Sequence, residues 1–490
     1  MQHHAYQLTG LRLLWLTLAL LLGLAGCRTA PAGPTAVAQI ATPAGHSTAE
    51  PTMVAAVTQP TATATPLPAA TSAATAAANS AATSTATATT PQPEPEPTAA
   101  APPLPPSEMQ CGLILPLVSP PHAPPTTVIS GRLDPTLNVP ENARPALTYL
   151  LENPADVGLV AYRVGAEAGG IYLNPDTPMP LASVAKIIHL VAYAQAVADG
   201  RLNPADWVPV TELDRYYLQG SDLRSHPQAI QELRSRGLVS SSPQAVPMEE
   251  LPWMMMRNSS NAATDYLHLL LGQRVIEETA VALGLTNQTA PCPFLGQFLT
   301  ISNHTRLADN EAAIQALIAD PADYGRLVMD LTLAYSEDAA FREAEGRWYQ
   351  RARRPSWAAQ SLFSENLNAQ GSAGDYAALL AAIAQNQIGD PYTSFIIRRN
   401  LEWPLEIYPI NQELFYNVGY KNGSLPGILN SAYYAAPRQG GGLVVVTLFY
   451  RNLPEAIYQD WRRNLYHDDL ARWLLTDPQA IPALRALLGE

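Results

Sequence analysis

The chain predicts a mixed α/β (α+β) head behind a long unfolded leader, and three observations carry that reading. Segments with strand character lie around Leu159 and again beyond Asn417, with a helix-rich stretch between them, so one sheet must be assembled from distant parts of the chain. Of 490 residues, 47% are hydrophobic, enough to fill a sizeable core. The 45 prolines, about 9% against a usual 5%, gather in the first quarter, where apolar side chains are scarce.

From the N-terminus, residues 1–27 read as an address. A short polar start with His3, His4 and Arg12 precedes an apolar run, Leu13 to Leu24, too short for an ordinary membrane span. Leu24-Ala25-Gly26-Cys27 resembles the lipobox of bacterial lipoproteins. The resemblance implies cleavage before Cys27, a lipidated cysteine as the new N-terminus, and an extracytoplasmic protein anchored to a bacterial membrane in the cell envelope. A plain signal peptide is the alternative. Residues 28–125 are Ala/Thr/Pro-rich, as in Pro91-Gln92-Pro93-Glu94-Pro95, with almost no large apolar side chain before Leu104. Such a disordered linker cannot offset the entropy of ordering itself, and repeated proline stiffens it into a spacer.

The head is expected over residues 126–490. Ala146 to Leu151 reads as a short helix, Gly158 to Val164 alternates like a strand, and Gly169 to Leu173 reads as its hairpin partner. Pro180 precedes a long apolar helix, Leu181 to Asp199, closed by Gly200. Helices fill Met248 to about Gln385. Strands return at Asn417 to Ser424, Asn430 to Ala436 and Gly442 to Tyr450, and a final helix spans Pro454 to Leu475.

A formal net charge of −13 with 14% charged residues speaks against a nucleic-acid-binding surface. Cys27, Cys111 and Cys292 are too few and scattered for a zinc module or a disulfide scaffold, although Cys111 and Cys292 could pair under oxidising conditions. No His/Cys/Asp cluster has metal-ligand spacing, so no metal or cofactor is expected. His189 reads as a packed or surface histidine rather than a metal ligand, and Trp253 and the Met254–Met256 run read as helix core.

Three short motifs carry the chemistry. In Ser183-Val184-Ala185-Lys186, a spacing of three places hydroxyl and amine on one helix face, where the amine can take the serine proton. A solvated helix face is the competing reading. In Ser259-Ser260-Asn261, a hydroxyl and an amide on a tight loop can relay a proton and hold a substrate amide, or else simply cap the next helix. In Lys421-Asn422-Gly423-Ser424, Gly423 would let a substrate backbone approach and Lys421 would supply a cation for a carboxylate, unless the run is a hairpin turn. The lysine census joins them. Lys186 and Lys421 are the only lysines among 29 basic residues; arginine serves everywhere else. Arginine stays charged, whereas a buried lysine can lose its proton and act as a base. Bringing the two lysines together would lower the pKa of Lys186 by like-charge repulsion, while Lys421 stays charged and binds anions.

In these residues, and in their order, the chain resembles the serine β-lactamase and penicillin-binding protein superfamily, most closely class A β-lactamases, over roughly Arg144 to Leu475. The resemblance implies a five-stranded antiparallel sheet flanked by helices plus an all-helical subdomain. It implies Ser183 as acylated nucleophile, Lys186 as its base or relay, and Ser259 as proton carrier to the leaving nitrogen. Asn261 would bind the substrate amide, and Lys421, Asn422 and Gly423 the carboxylate side. Backbone N–H groups of Ser183 and Ser424 would form the oxyanion hole. Asn422 departs from the family's Thr or Ser. Glu365-Asn366-Leu367-Asn368, one residue shorter than the family's Glu-x-x-Leu-Asn, precedes a helix capped by Ser372 with Asp375. It makes Glu365 the candidate base for deacylation, or a solvated loop carboxylate. Residues 286–364 look like an insertion. The implied substrates are β-lactams, or peptidoglycan peptides if the protein is a D-alanyl-D-alanine peptidase. A non-catalytic wall-peptide-binding lipoprotein is a third reading. The membrane anchor and a monomeric state complete the expectation.

Overall fold

The computed structural model describes residues 111–113, 137–306, 309–351 and 354–489. The signal segment with Cys27, and the linker apart from residues 111–113, lie outside the described residues.

Helix α1 (Arg144–Glu152) precedes β1 (Val157–Arg163) and β2 (Ile171–Leu173), which pair antiparallel with Leu159 opposite Leu173. β3 (Pro178–Pro180) runs through Leu181 into a tight 3-10 turn, Ala182–Ala185, and then α2 (Lys186–Ala198). The helix expected from Leu181 instead starts beyond Ala182, which at φ +49° lies outside helical geometry, as a 3-10 turn that becomes α-helical at Lys186. β4 (Trp207–Pro209), α3 (Val210–Asp214), α4 (Ser225–Ser235) and β5 (Ala245–Pro247) follow, with β4 and β5 paired. α5 (Leu251–Arg257), α6 (Asn261–Leu271) and α7 (Gln273–Ala282) continue the helical region; Trp253, Met254, Met255 and Met256 are buried there, as helix core.

The stretch anticipated as an insertion holds α8 (Phe294–Ile301), α9 (Glu311–Ala319), α10 (Pro321–Glu337), α11 (Ala339–Tyr349) and α12 (Trp357–Asn366). Side chains of Asn310, Asp320, Asp338 and Ser356 accept backbone N–H bonds at the starts of the last four, which fixes where each begins. A disulfide joins Cys111 to Cys292, just before α8, with Cα atoms 4.9 Å apart. β6 (Gln370–Ser372) pairs with β3, and Ser372 caps α13 (Ala373–Ala384) by accepting the Asp375 N–H. The Asp375 carboxylate reaches across to the backbone N–H groups of Thr286 and Asn287.

After α14 (Pro391–Leu401), α15 (Trp403–Ile407) and α16 (Pro409–Leu414) come β7 (Phe415–Leu425), β8 (Ile428–Pro437) and β9 (Val444–Tyr450). Pro426-Gly427, with Gly427 at φ +80°, makes the β7–β8 turn, the placement a type II turn requires. The hairpin-turn alternative for Lys421–Gly423 is thereby set aside: those residues lie inside β7. The expected final helix breaks at Leu465, φ +59°, into α17 (Glu455–Asn464) and α18 (Tyr466–Thr476), and α19 (Ala480–Leu488) follows.

The main sheet is antiparallel, in the order β2-β1-β9-β8-β7. α13 covers one face and α1 and α18 the other. Burial on both faces explains why Val444 to Tyr450 is apolar almost throughout rather than alternating. A polar network is buried under α18: Asp468 accepts from Tyr420, Ser431 and Tyr433. β7 remains an edge strand, with one side open beside the turn that carries Ser183.

Candidate active site

Two close approaches bring the motifs together. A Cβ placed on Gly423 would lie 2.4 Å from Leu181 O, 3.0 Å from Ala182 Cβ and 3.2 Å from Ser183 N. The absent side chain is therefore filled by the Ser183 turn itself, not by substrate as the sequence suggested. Opposite Gly423 in the ladder, Asn430 donates its side-chain N–H to Pro180 O at 2.7 Å. On the other flank, Asn368 Oδ1 accepts the Ala182 N–H at 2.8 Å, and Ala369 O accepts the Leu181 N–H at 2.8 Å. Strand, turn and loop together hold Ala182 in its unfavourable conformation.

The α5–α6 loop supplies the second motif. Ser260 is the helix cap: its Oγ accepts the Ala263 N–H at 3.2 Å. Ser259, at φ +61°, projects away from that cap. Its carbonyl accepts from Lys186 Nζ at 2.7 Å and its Oγ at 3.2 Å, while Asn261 Oδ1 accepts from the same ammonium at 2.6 Å. All three Lys186 N–H groups are thus used, none of them on Ser183. Lys421 Nζ donates to Ser259 Oγ at 3.1 Å, to Asn422 O at 3.0 Å and to Asn422 Oδ1 at 3.4 Å. The Ser259 hydroxyl therefore stands between the chain's two lysines. Ser183 is half-buried on the turn that packs against Gly423. Ser424, exposed at the end of β7, shares a hydrogen bond of 3.0 Å with Tyr458 OH on α17.

Both lysines are buried, at 0% and 1% exposure. Burial pushes Lys186 down to about 7, with the Asp222 and Asp265 carboxylates opposing the fall. Burial also holds Lys421 well below the ordinary lysine range, helped by the charge of Lys186. One expectation is corrected here: desolvation, not like-charge repulsion, dominates at Lys186.

Residues that the sequence did not single out surround Lys186. The Phe294 ring centroid lies 4.6 Å from its Nζ. Asp265, fully buried and pushed up to about 7 by burial, accepts the backbone N–H groups of Phe294 and Leu295 at 2.8 and 2.6 Å and so fixes the start of α8. One signal for it was available: Asp265 lies four residues after Asn261, on the same helix face. Asp222, on the loop before α4, and Phe294, at the start of α8, come from distant parts of the chain and left no signal. Of its two readings His189 takes the buried one, paired with His268 at 2.9 Å.

Glu365 is not gathered with the rest. Its Oε1 pairs with Arg451 at 3.4 Å, just beyond β9, and burial pushes it up to about 7, with Arg451 opposing and Asp156 adding to the rise. The four-residue motif is split: Asn368 reaches the Ser183 turn, while α12 carries Glu365 to the end of the sheet. Glu365 thus stands apart from Ser259 and the two lysines, because α12 ends after it and Asn368 lies beyond the helix. Among the described residues no group of three His, Cys, Asp or Glu side chains could hold a metal ion.

A family model described as the beta-lactamase enzyme family matches residues 143–462. No curated protein matches the chain. Solved structures with a similar fold include a beta-lactamase from Sphaerobacter thermophilus, 17% identical over 66% of this chain and 91% of that one, with a TM-score of 0.40. A point variant of PBP-A in an acyl-enzyme complex with penicillin G is 15% identical over 71% of this chain and 98% of that one, TM-score 0.38. A beta-lactamase from Chitinophaga pinensis is 14% identical over 67% and 99%, TM-score 0.38.

Proposed function

The chain belongs to the beta-lactamase enzyme family, and from that premise we propose that it is an active-site serine hydrolase that acylates Ser183 with β-lactams and then hydrolyses the ester. The observation that carries the reading is the Ser259 hydroxyl held between two buried lysines beside the Ser183 turn. Ser183 Oγ attacks the lactam carbonyl as Lys186, neutral in good part near pH 7, takes its proton. Ser259 passes a proton to the leaving nitrogen as the C–N bond breaks. Backbone N–H groups of Ser183 and Ser424 receive the developing oxyanion. Asn261 holds the substrate amide, and Lys421 with Asn422 faces its carboxylate. The head works as a monomer, tethered through lipidated Cys27 and the 28–125 spacer in a bacterial envelope.

A second reading, a D-alanyl-D-alanine peptidase acting on peptidoglycan, is favoured by two placements. Phe294 covers Lys186 with an apolar ring, and Glu365 is engaged by Arg451, so the acyl-enzyme would persist. The full-length chain in detergent, incubated with a fluorescent penicillin, should label at Ser183, and Ser183→Ala should abolish labelling. Equal labelling of both proteins would remove either reading.

A further inference from the structure

Asn368 and Ala369 hold the Ser183 turn from behind, and the loop that carries them is itself held at several points. Gln297 on α8 stands behind Asn368. Its Oε1 accepts the Asn368 Nδ2–H at 3.0 Å, and its Nε2 donates to Cys292 O at 2.8 Å. Asn368 then spends its Oδ1 on the Ala182 N–H at 2.8 Å. A continuous line of hydrogen bonds therefore runs from Cys292 through two side-chain amides to the residue before Ser183. Gln297 and Asn368 are each 4% exposed, so these bonds form where water does not compete. On either side of Asn368, Tyr324 OH donates to Leu367 O at 2.6 Å, and Thr289 exchanges two bonds with the backbone of Gln370. Part of the loop's far side borders a cavity of about 270 Å³ shared with Cys292 and Tyr324, so there bonds rather than close packing fix its place.

These supports converge on one covalent bond. Cys111 falls in the stretch expected to be linker, yet it is buried and joined to Cys292. Gly112 N–H donates to Ala290 O at 3.0 Å, and Leu113 O accepts the Ala290 N–H at 2.9 Å, next to Thr289. Gly112 also lies against the Tyr324 ring, and a Cβ on Gly325 of α10 would fall 2.1 Å from Cys111 O. The helix thus accepts this segment only because residue 325 lacks a side chain. The bridged segment is part of the wall behind the nucleophile and not a loose tether end.

We infer that the Cys111–Cys292 disulfide and Gln297 are positioning elements of the active site: together they hold Asn368 against the Ser183 turn, so acylation depends on a bond to the linker's end. This rests on the acyl-enzyme reading above. Neither element touches the residues that would bind substrate. Both act through the Ala182 N–H, at a residue whose φ of +49° persists only while its surroundings impose it. Without the bridge, Cys292 O is no longer anchored, Gln297 loses a fixed acceptor, and Asn368 loses the partner that orients it. The Ser183 hydroxyl and N–H then drift from the line of attack, while Asn261, Lys421 and Asn422 stay in place.

The test measures acylation of the full-length chain by penicillin G against concentration, followed by intact mass. Cys111→Ser and Gln297→Met should each lower the maximal acylation rate at least about fivefold, with the half-saturating concentration changed by less than about twofold. Because both act through one chain of bonds, the double variant should be no more than about twofold slower than the slower single variant. Circular dichroism at room temperature identifies which variants are folded. A folded variant acylating within about twofold of the unsubstituted rate overturns the inference. So does a loss confined to the half-saturating concentration, or a double variant whose loss equals the product of the two single losses. If one variant does not fold, the other decides; if neither folds, the bridge is a structural staple and the inference falls. Absence of any adduct on the unsubstituted protein sinks the acyl-enzyme reading itself, a different failure.

Discussion

Replacing Gly423 by alanine adds one methyl group, and the structure says where it goes. The new Cβ would sit 2.4 Å from Leu181 O and 3.2 Å from Ser183 N, and real Cβ contacts essentially never fall below 3.0 Å. The obstacle is backbone, so no side chain can rotate aside. β7 and the Ser183 turn must part by at least about 0.6 Å, and the turn is pinned from behind by Asn368 and Asn430. Overpacking of this kind costs about 1–3 kcal/mol of stability. Its effect on chemistry is larger in proportion. A displacement of around 1 Å between nucleophile and oxyanion donors costs on the order of 100-fold in rate. Acylation of Gly423→Ala by penicillin G, followed by intact mass, should therefore slow by about 30- to 100-fold while the protein stays folded at room temperature. Acylation within about twofold of the unsubstituted rate would refute the argument that this contact sets the geometry of the nucleophile.

Two other outcomes test the site. Because burial lowers Lys186 to about 7, acylation should rise as pH increases through that value; Lys186→Arg, which cannot surrender its proton, should lose at least about 1000-fold at every pH, measured as second-order labelling rate. The adjacent serines should separate cleanly. Ser260→Ala should cost about 1 kcal/mol in denaturant unfolding through its lost cap, with only a small effect on acylation, whereas Ser259→Ala should slow acylation at least about tenfold with little change in stability.

The strands of the sheet were legible because each is a contiguous apolar or alternating run whose burial is decided locally. The caps at Asn310, Asp320, Asp338, Ser356 and Ser372 were equally open to reading, since a cap is a contact over three residues. Less visible were the breaks at Ala182 and Leu465, where ordinary side chains adopt left-handed conformations that no glycine announces. Glu365 illustrates a third case. Its spacing to Asn368 resembles a functional loop, but a helix carries the two residues to different neighbours.

By itself, then, the amino-acid sequence determined the sheet's membership and singled out the Ser183 motif and the two isolated lysines that gather beside it, because those follow from local pattern and from residue choice. Only the tertiary structure decided that Gly423 packs on the Ser183 turn, that burial rather than mutual repulsion lowers Lys186, and that Glu365 pairs with Arg451. Those properties depend on which surfaces exclude water together. Asp222, Asp265 and Phe294 come together around Lys186 only after the loop before α4, helix α6 and the start of α8 have packed, and no short window of sequence contains that packing.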